Sequence, residues 1–454
     1  MLESVNPATG KTIARYEEHS ADEINSITEN AVHTQQLWED ESIASRSEKM
    51  RVAAYLLRRD KERYAVMITS EMGKPVVQAR QEVEKCAMVC EYYADKAGDF
   101  LLNEYIETEA KSSYVAYRPL GVILGIMPWN FPFWQVFRFA VPCIMAGNTV
   151  LLKHASNVYG SALAIEGIFR EAGFPENLFG VLKIPGKKAG DIIGNQHIKG
   201  VSLTGSVGAG RAVASRAGSM LKKTVLELGG SDPYIVLRDA NLENAIEKCV
   251  SSRLINNGQS CISAKRFIIE ESIYSDFEEG FTELMKSKLM GDPMSDDTDL
   301  GPQASTGLRD ELHQQVAVSV KKGARCLLGG TIPGIKGAWY PATVLSGVMP
   351  GMPAYDEETF GPAAALIRVR DEKEAIAVAN DSVFGLGGAI FTENLEKGRN
   401  IAERLLKAGC CFVNDMVRSD PRLPFGGISD SGFGRELSHH GIREFTNIKT
   451  VYIK

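Results

Sequence analysis

The sequence has no CxxC pair and no HExxH, and its 8 Cys and 7 His are scattered through 454 residues. A tetrahedral zinc site needs closely spaced ligands, so no metal site is expected. Cys86 and Cys90 stand four apart, and Cys410 and Cys411 are neighbours. That is the pattern of core residues in a reduced, cytoplasmic chain. No Lys/Arg-rich run occurs, and the net charge is −6. Both features speak against a nucleic-acid surface. The start, "MLESVNPATGK", lacks a basic segment followed by an apolar one, so no signal peptide is expected. Long uncharged runs are missing as well, with one exception at residues 119–137. That stretch holds Pro119, Pro128 and Pro132 with Gly121, Gly125 and Asn130. Lipid would leave such a backbone unsatisfied. A buried strand, "LGVILGIM", followed by a loop is expected instead.

What is present is an ordinary globular balance, 44% hydrophobic and 24% charged. The length suggests two or three domains. The first hundred residues read as helices, and "EKMRVAAYLLRRDKERYAVMITSEMGK" reads as one amphipathic helix ended by Gly73 and Pro75. From Leu120 the pattern changes. Short apolar strands ("LGVILGIM", "NTVLLK", "LFGVLKI", "KGVSLTG", "TVLELGG") alternate with helical segments. Such alternation predicts a parallel sheet covered on both faces. "PYIVLRDA", "LENAIEKCVSSRLI", "AKRFIIEE" and "YSDFEEGFTELMKSK" suggest a second α/β unit. The tail "TNIKTVYIK" alternates like an exposed strand, and a free edge of that kind suggests oligomerisation. There are no repeats and no low-complexity linker.

Several stretches carry chemistry. "LTGSVGAG" places Gly205, Gly208 and Gly210 at a strand-to-helix junction, where helix amides can face a phosphate. Its spacing is GxxGxG rather than GxGxxG, and a plain tight turn is the alternative. Glu227 lies 22 residues after Gly205 and fits an acid gripping ribose. A carboxylate followed by Gly-Gly fits a mobile catalytic base equally well. Cys261, in "NNGQSC", follows Glu227 by 34 residues. A thiolate attacks electrophilic carbon and a carboxylate activates water, but a lone Cys is also an ordinary core residue. Asn130 stands in the proline-framed "PWNFPFWQVFR", either as a turn residue or as an amide donor to an oxyanion. Arg138 is the only charge between Pro119 and Leu152, and on a helix it shares a face with Trp134. A buried arginine needs an anion, from a structural acid or from a substrate carboxylate.

Taken in order, "PWNFP", "LTGS", "LELGG", "NNGQSC", "EETFGP" and "PFGGISDSGFGRE" resemble the aldehyde dehydrogenase superfamily over essentially the whole chain. The resemblance implies an α/β fold. A Rossmann-type nucleotide domain would take residues 1–100 and 120–230, and a catalytic domain 231–435. A β oligomerisation arm would take 101–119 and 436–454, in a homodimer or homotetramer. It further implies Cys261 as nucleophile, Asn130 with the Cys261 N–H as oxyanion holder, and Glu227 as general base for hydrolysis. Glu358 would grip the nicotinamide ribose and Phe360 would pack near the nicotinamide. Trp129 would line the cofactor cleft, Lys153 would bind the adenosine ribose, and Gly205 with Ser206 would lie at the pyrophosphate. Relatives that pass the acyl group to coenzyme A commonly lack the base, so Glu227 favours hydrolysis.

Many NAD-preferring relatives carry Glu where this chain has Ser156. A hydroxyl there removes repulsion of a 2′-phosphate, so NADP is expected as the cofactor, with NAD possible. Arg138 and Ser419 match positions resembling the substrate-carboxylate ligands of succinate-semialdehyde dehydrogenases, and Trp134 joins them. Some of those enzymes carry a second arginine six residues before the nucleophile, and Ile255 stands there instead. Arg418 is a candidate to compensate. Ser263 fills a position where some relatives have a second Cys, so no local disulfide is expected. The expected reaction is oxidation of succinate semialdehyde to succinate. Glutarate semialdehyde or an uncharged aliphatic aldehyde is the alternative.

Overall fold

The computed structural model describes residues 1–454 and has the expected α/β architecture. Five parallel strands form the first sheet, in spatial order Lys223–Glu227, Ile198–Thr204, Val122–Met127, Thr149–His154 and Phe179–Val181. Short Gly432–Phe433 pairs antiparallel with Lys223–Glu227. Every residue of Val122–Met127 and of Thr149–His154 is buried. Sheets covered on both faces have such continuous apolar strands. The chain builds outward from Val122–Met127 in one direction, then returns to add Ile198–Thr204 on its other side. That reversal opens a crevice at the carboxyl ends of the two strands, the usual ligand position in an open α/β sheet.

Seven strands form the second sheet, in order Arg325–Leu328, Thr343–Ser346, Ala363–Val369, Arg266–Glu270, Pro233–Val236, Gly387–Phe391 and Cys410–Val413. Only the edge strand Arg325–Leu328 is antiparallel to its neighbour. A third sheet joins Glu104–Tyr105, Ser112–Pro119 and Thr446–Ile453, the last two in register from Thr446↔Pro119 to Ile453↔Ser112. Tyr105, Ile106, Ile448, Tyr452 and Ile453 are exposed on or beside it.

The uncharged run 119–137 contains the strand Val122–Met127, a loop, and the start of the helix Trp134–Met145. No helix is long and apolar enough to cross a membrane. Two expectations need correction. The N-terminus is not wholly helical, because Leu2–Asn6 and Lys11–Tyr16 pair as a hairpin. Its inner face buries Leu2 and Ser4, an alternation too short to stand out in sequence. The long amphipathic segment is two helices, Ile43–Arg59 and Lys61–Met72, broken at Asp60. Asp60 leaves helical geometry at φ −105° and ψ 20°. Gly73 ends the second helix at φ 85°, in the left-handed region open to glycine.

Candidate active site

The loop "NNGQSC" explains how Cys261 is held. Asn256, Asn257 and Gly258 take φ values of 57°, 57° and 74° in succession. Asparagine and glycine tolerate this left-handed conformation best. A side chain at Gly258 would place its Cβ 2.2 Å from the Gly361 carbonyl carbon, so the two segments touch through backbone. The asparagine side chains then tie the loop down. Asn256 Nδ2 donates to Asn130 O at 2.7 Å and to Gln259 O at 2.8 Å. Asn257 Nδ2 donates to Pro302 O at 2.9 Å, and its Oδ1 accepts from Gly301 N at 2.9 Å. Buried Lys265 donates to Ser260 O at 2.9 Å and to Cys261 O at 2.6 Å.

Cys261 is half-buried and lines two cavities. The first, of about 250 Å³, is also lined by Trp129, Asn130, Gly205, Ser206, Glu358 and Phe360. It lies in the crevice between the strands ending at Met127 and Thr204. Trp129 and Phe360 meet edge to face with centroids 5.8 Å apart. Ser206 caps the helix Val207–Ser219, accepting from Ala209 N at 3.3 Å. The positive end of that helix therefore faces the cleft, where a phosphate is favoured. Glu358 accepts from Gly230 N at 3.0 Å and lies 3.7 Å from Lys265 Nζ. A Cβ on Gly229 would approach Glu358 Oε2 to 2.5 Å, so the Gly-Gly pair lets the carboxylate reach the cleft.

The second cavity, of about 160 Å³, is lined by Trp134, Arg138, Ile255, Arg418 and Ser419, and by Lys85 of the helix Val76–Phe100. Glu82 of the same helix accepts from Phe133 N at 2.9 Å and Trp134 N at 3.0 Å. It thus anchors the start of the helix that bears Trp134 and Arg138, and it is itself ion-paired with buried Lys74.

Asn130 gives one amide proton to Gln259 O at 3.0 Å, and the other stays available. No protein acceptor takes the Cys261 N–H. Asn130 and Cys261 line the same cavity and each keeps a free donor, as stabilising an oxyanion requires. Burial pushes the Cys261 thiol up to about 12, against the pull of the Arg138 and Lys265 cations. Glu227 lines neither cavity, and its two carboxyl oxygens are buried without partners. Burial holds its pKa well above the ordinary carboxylate range, and Glu436 adds to the effect.

Arg138 lines the second cavity and also forms a buried ion pair with Glu436. Arg418 likewise pairs with Asp415 at 2.6 Å. Lys153 is buried and Ser156 half-buried at the carboxyl end of Thr149–His154, one strand along from the crevice, and they line neither cavity. Lys85, Lys265 and Glu436 escaped the sequence reading. Their partners are set by tertiary contact, and no local motif marks them.

The aldehyde dehydrogenase family pattern matches residues 1–451. The chain is 48% identical to a probable NADP(+) succinate-semialdehyde dehydrogenase of Synechocystis sp., over 100% of this chain and 99% of that protein. It is 48% identical to an NAD(P)+ succinate semialdehyde dehydrogenase of Escherichia coli, over 99% and 97% of the two chains. The crystal structure of a succinic semialdehyde dehydrogenase from Streptococcus pyogenes with NADP+ superposes with a TM-score of 0.97. That chain is 37% identical, with full coverage of both.

Proposed function

Because the chain belongs to the aldehyde dehydrogenase family, we propose that it oxidises succinate semialdehyde to succinate with NADP, through a thioester on Cys261. The observation that carries this reading is the position of Cys261 in the wall shared by two cavities, one suited to a nucleotide and one to a small aldehyde. The names of the Synechocystis, E. coli and S. pyogenes relatives support the same substrate and cofactor.

The first cavity suits the nicotinamide, its ribose and the pyrophosphate of a dinucleotide. Gly205, Ser206 and the helix start they precede suit the pyrophosphate, Glu358 the ribose, and Trp129 with Phe360 the nicotinamide. Lys153 and Ser156 are assigned to the adenosine ribose and its 2′-phosphate. When bound, NADP+ supplies the hydride acceptor. The protein does the rest. The Cys261 thiol gives its proton to water, its sulfur adds to the aldehyde carbon, and Asn130 and the Cys261 N–H hold the resulting oxyanion. Collapse of that tetrahedral centre, with loss of hydride, leaves a thioester. Glu227 is assigned as the base: once ionised and turned from its buried position toward Cys261, it takes a proton from the water that attacks the acyl carbon and frees succinate, and passes that proton to the departing sulfur.

We assign the first sheet with the N-terminal helices to nucleotide binding and the second to catalysis. The three-stranded sheet, with its exposed Ile448, Tyr452 and Ile453, is assigned to pairing with a second copy in a dimer or tetramer. We place the chain in the cytoplasm, in keeping with eight unpaired cysteines.

Nicotinamide reduction by the purified protein tests this reading. Succinate semialdehyde should be oxidised with much higher kcat/KM than butanal, and NADP used better than NAD. Equal rates for the two aldehydes would leave a general aldehyde dehydrogenase. Ser156→Glu should cut the NADP-over-NAD preference by about 10- to 100-fold. It replaces one charge-assisted hydrogen bond, worth roughly 1.5–3 kcal/mol, with repulsion. An unaltered preference would place the 2′-phosphate elsewhere.

A further inference from the structure

The second cavity holds more positive charge than its protein partners balance. Four charged side chains line it: Glu82, Lys85, Arg138 and Arg418. Three have opposite charges within ion-pair distance. Glu82 pairs with Lys74, Arg138 with Glu436, and Arg418 with Asp415. Nearby Asp420 is held by Arg422 at 2.7 Å. Lys85 has no carboxylate partner. Its ammonium donates to Ser419 Oγ at 2.8 Å and lies 4.2 Å from the centroid of the Trp134 ring. Lys85 is half-buried, and a cation partly withdrawn from water without a counter-ion is favoured by an anion that arrives to meet it.

We propose that the Lys85 ammonium, together with the Ser419 hydroxyl, anchors the far carboxylate of the aldehyde, in place of the arginine that Ile255 lacks. This inference rests on the semialdehyde reading above and names the group that enforces it. The geometry favours Lys85 over Arg138, because the Arg138 charge is already matched. Gln78, Gln81, Glu82 and Lys85 line the cavity from one face of their helix, and Gln78 Oε1 accepts from Asn256 N at 2.6 Å. The anchoring face is thereby fixed relative to the Cys261 loop. Ser419 also accepts from Trp134 Nε1 at 3.2 Å, so its hydroxyl is oriented from two sides.

Burial and the neighbouring Arg138 charge pull the Lys85 ammonium down to about 8. Glu82 and Cys86 on its own helix and Asp420 on the facing loop oppose the shift. The charge is present below that value and lost above it. The preference for semialdehyde over butanal should therefore fall as pH rises from 7 to 9. Ionisation of Cys261 affects both aldehydes and cancels in the ratio.

The test measures kcat and KM with NADP for succinate semialdehyde and butanal, on the wild type, Lys85→Met and Lys85→Arg. The Met variant should lose about 10- to 100-fold in kcat/KM for the semialdehyde, mostly through KM, as expected for one charge-assisted contact. Its loss with butanal should be threefold or less. The Arg variant should recover most of the preference, and both variants should lose the pH dependence of the ratio, because a guanidinium stays charged through pH 9. If the wild type prefers the semialdehyde and Lys85→Met keeps that preference, the Lys85 assignment fails alone. If the wild type shows no preference, the substrate reading and this inference fall together. Should Lys85→Met fold poorly, the wild-type ratio decides: no fall between pH 7 and 9 overturns the proposal.

Discussion

Replacing Cys261 with Ser should lower aldehyde oxidation by about 10⁴-fold or more, while leaving the first cavity able to bind nucleotide. Serine keeps the shape and the loop contacts, but its hydroxyl is a far weaker nucleophile than a thiol. The loop itself should survive, because its ties run through Asn256, Asn257 and Lys265 and none uses the sulfur. Equilibrium nucleotide binding checks that the variant is folded, and steady-state reduction reads the loss. Residual activity within tenfold of the wild type would remove Cys261 from the chemistry. A second measurement follows from its surroundings. Burial holds the thiol high in the ligand-free protein, so alkylation by iodoacetamide should accelerate steadily from pH 7 to 9. A rate flat across that range would mean a thiol already ionised at neutral pH.

Glu227→Gln should split the reaction in two. The first half needs Cys261, Asn130 and the nucleotide. The second needs a base for water, and a general base typically contributes 10²- to 10⁴-fold. The variant should release about one equivalent of reduced nucleotide per site in a rapid burst and then turn over roughly 10²- to 10⁴-fold more slowly. Mass spectrometry of the quenched protein should find the acyl group on Cys261. Loss of the burst itself would show that Glu227 acts before the thioester forms. Gln is close in shape, and neither Glu227 oxygen has a hydrogen-bond partner to lose. The substitution therefore perturbs the chemistry more than the packing.

The sequence carried the strands and the residues that line the first cavity, because both are written locally. Continuous apolar runs marked Val122–Met127 and Thr149–His154. The string NNGQSC displays its own reason, since Asn-Asn-Gly is the composition that three successive left-handed residues require. What stayed hidden depends on residues far apart in the chain. Lys85 meets Ser419 across 334 positions, and within its helix it looks like any exposed lysine of an amphipathic turn. Arg138 was legible as a charge in need of a partner, but Glu436 was not identifiable as that partner. The break at Asp60 was invisible for a different reason. Apolar periodicity runs on through a kink when both flanking helices bury the same side.

A sulfur set in the wall between two chambers also governs traffic. With the nucleotide in one cavity and the aldehyde in the other, as proposed, both reach the same sulfur and neither has to make way for the other. Either order of loading is open, and the reduced nucleotide can leave while the acyl group is still attached. The vacated chamber then gives water its path to the thioester. An inhibitor built to fill both chambers would have to thread past Cys261, whereas one that fills either alone leaves the other in service.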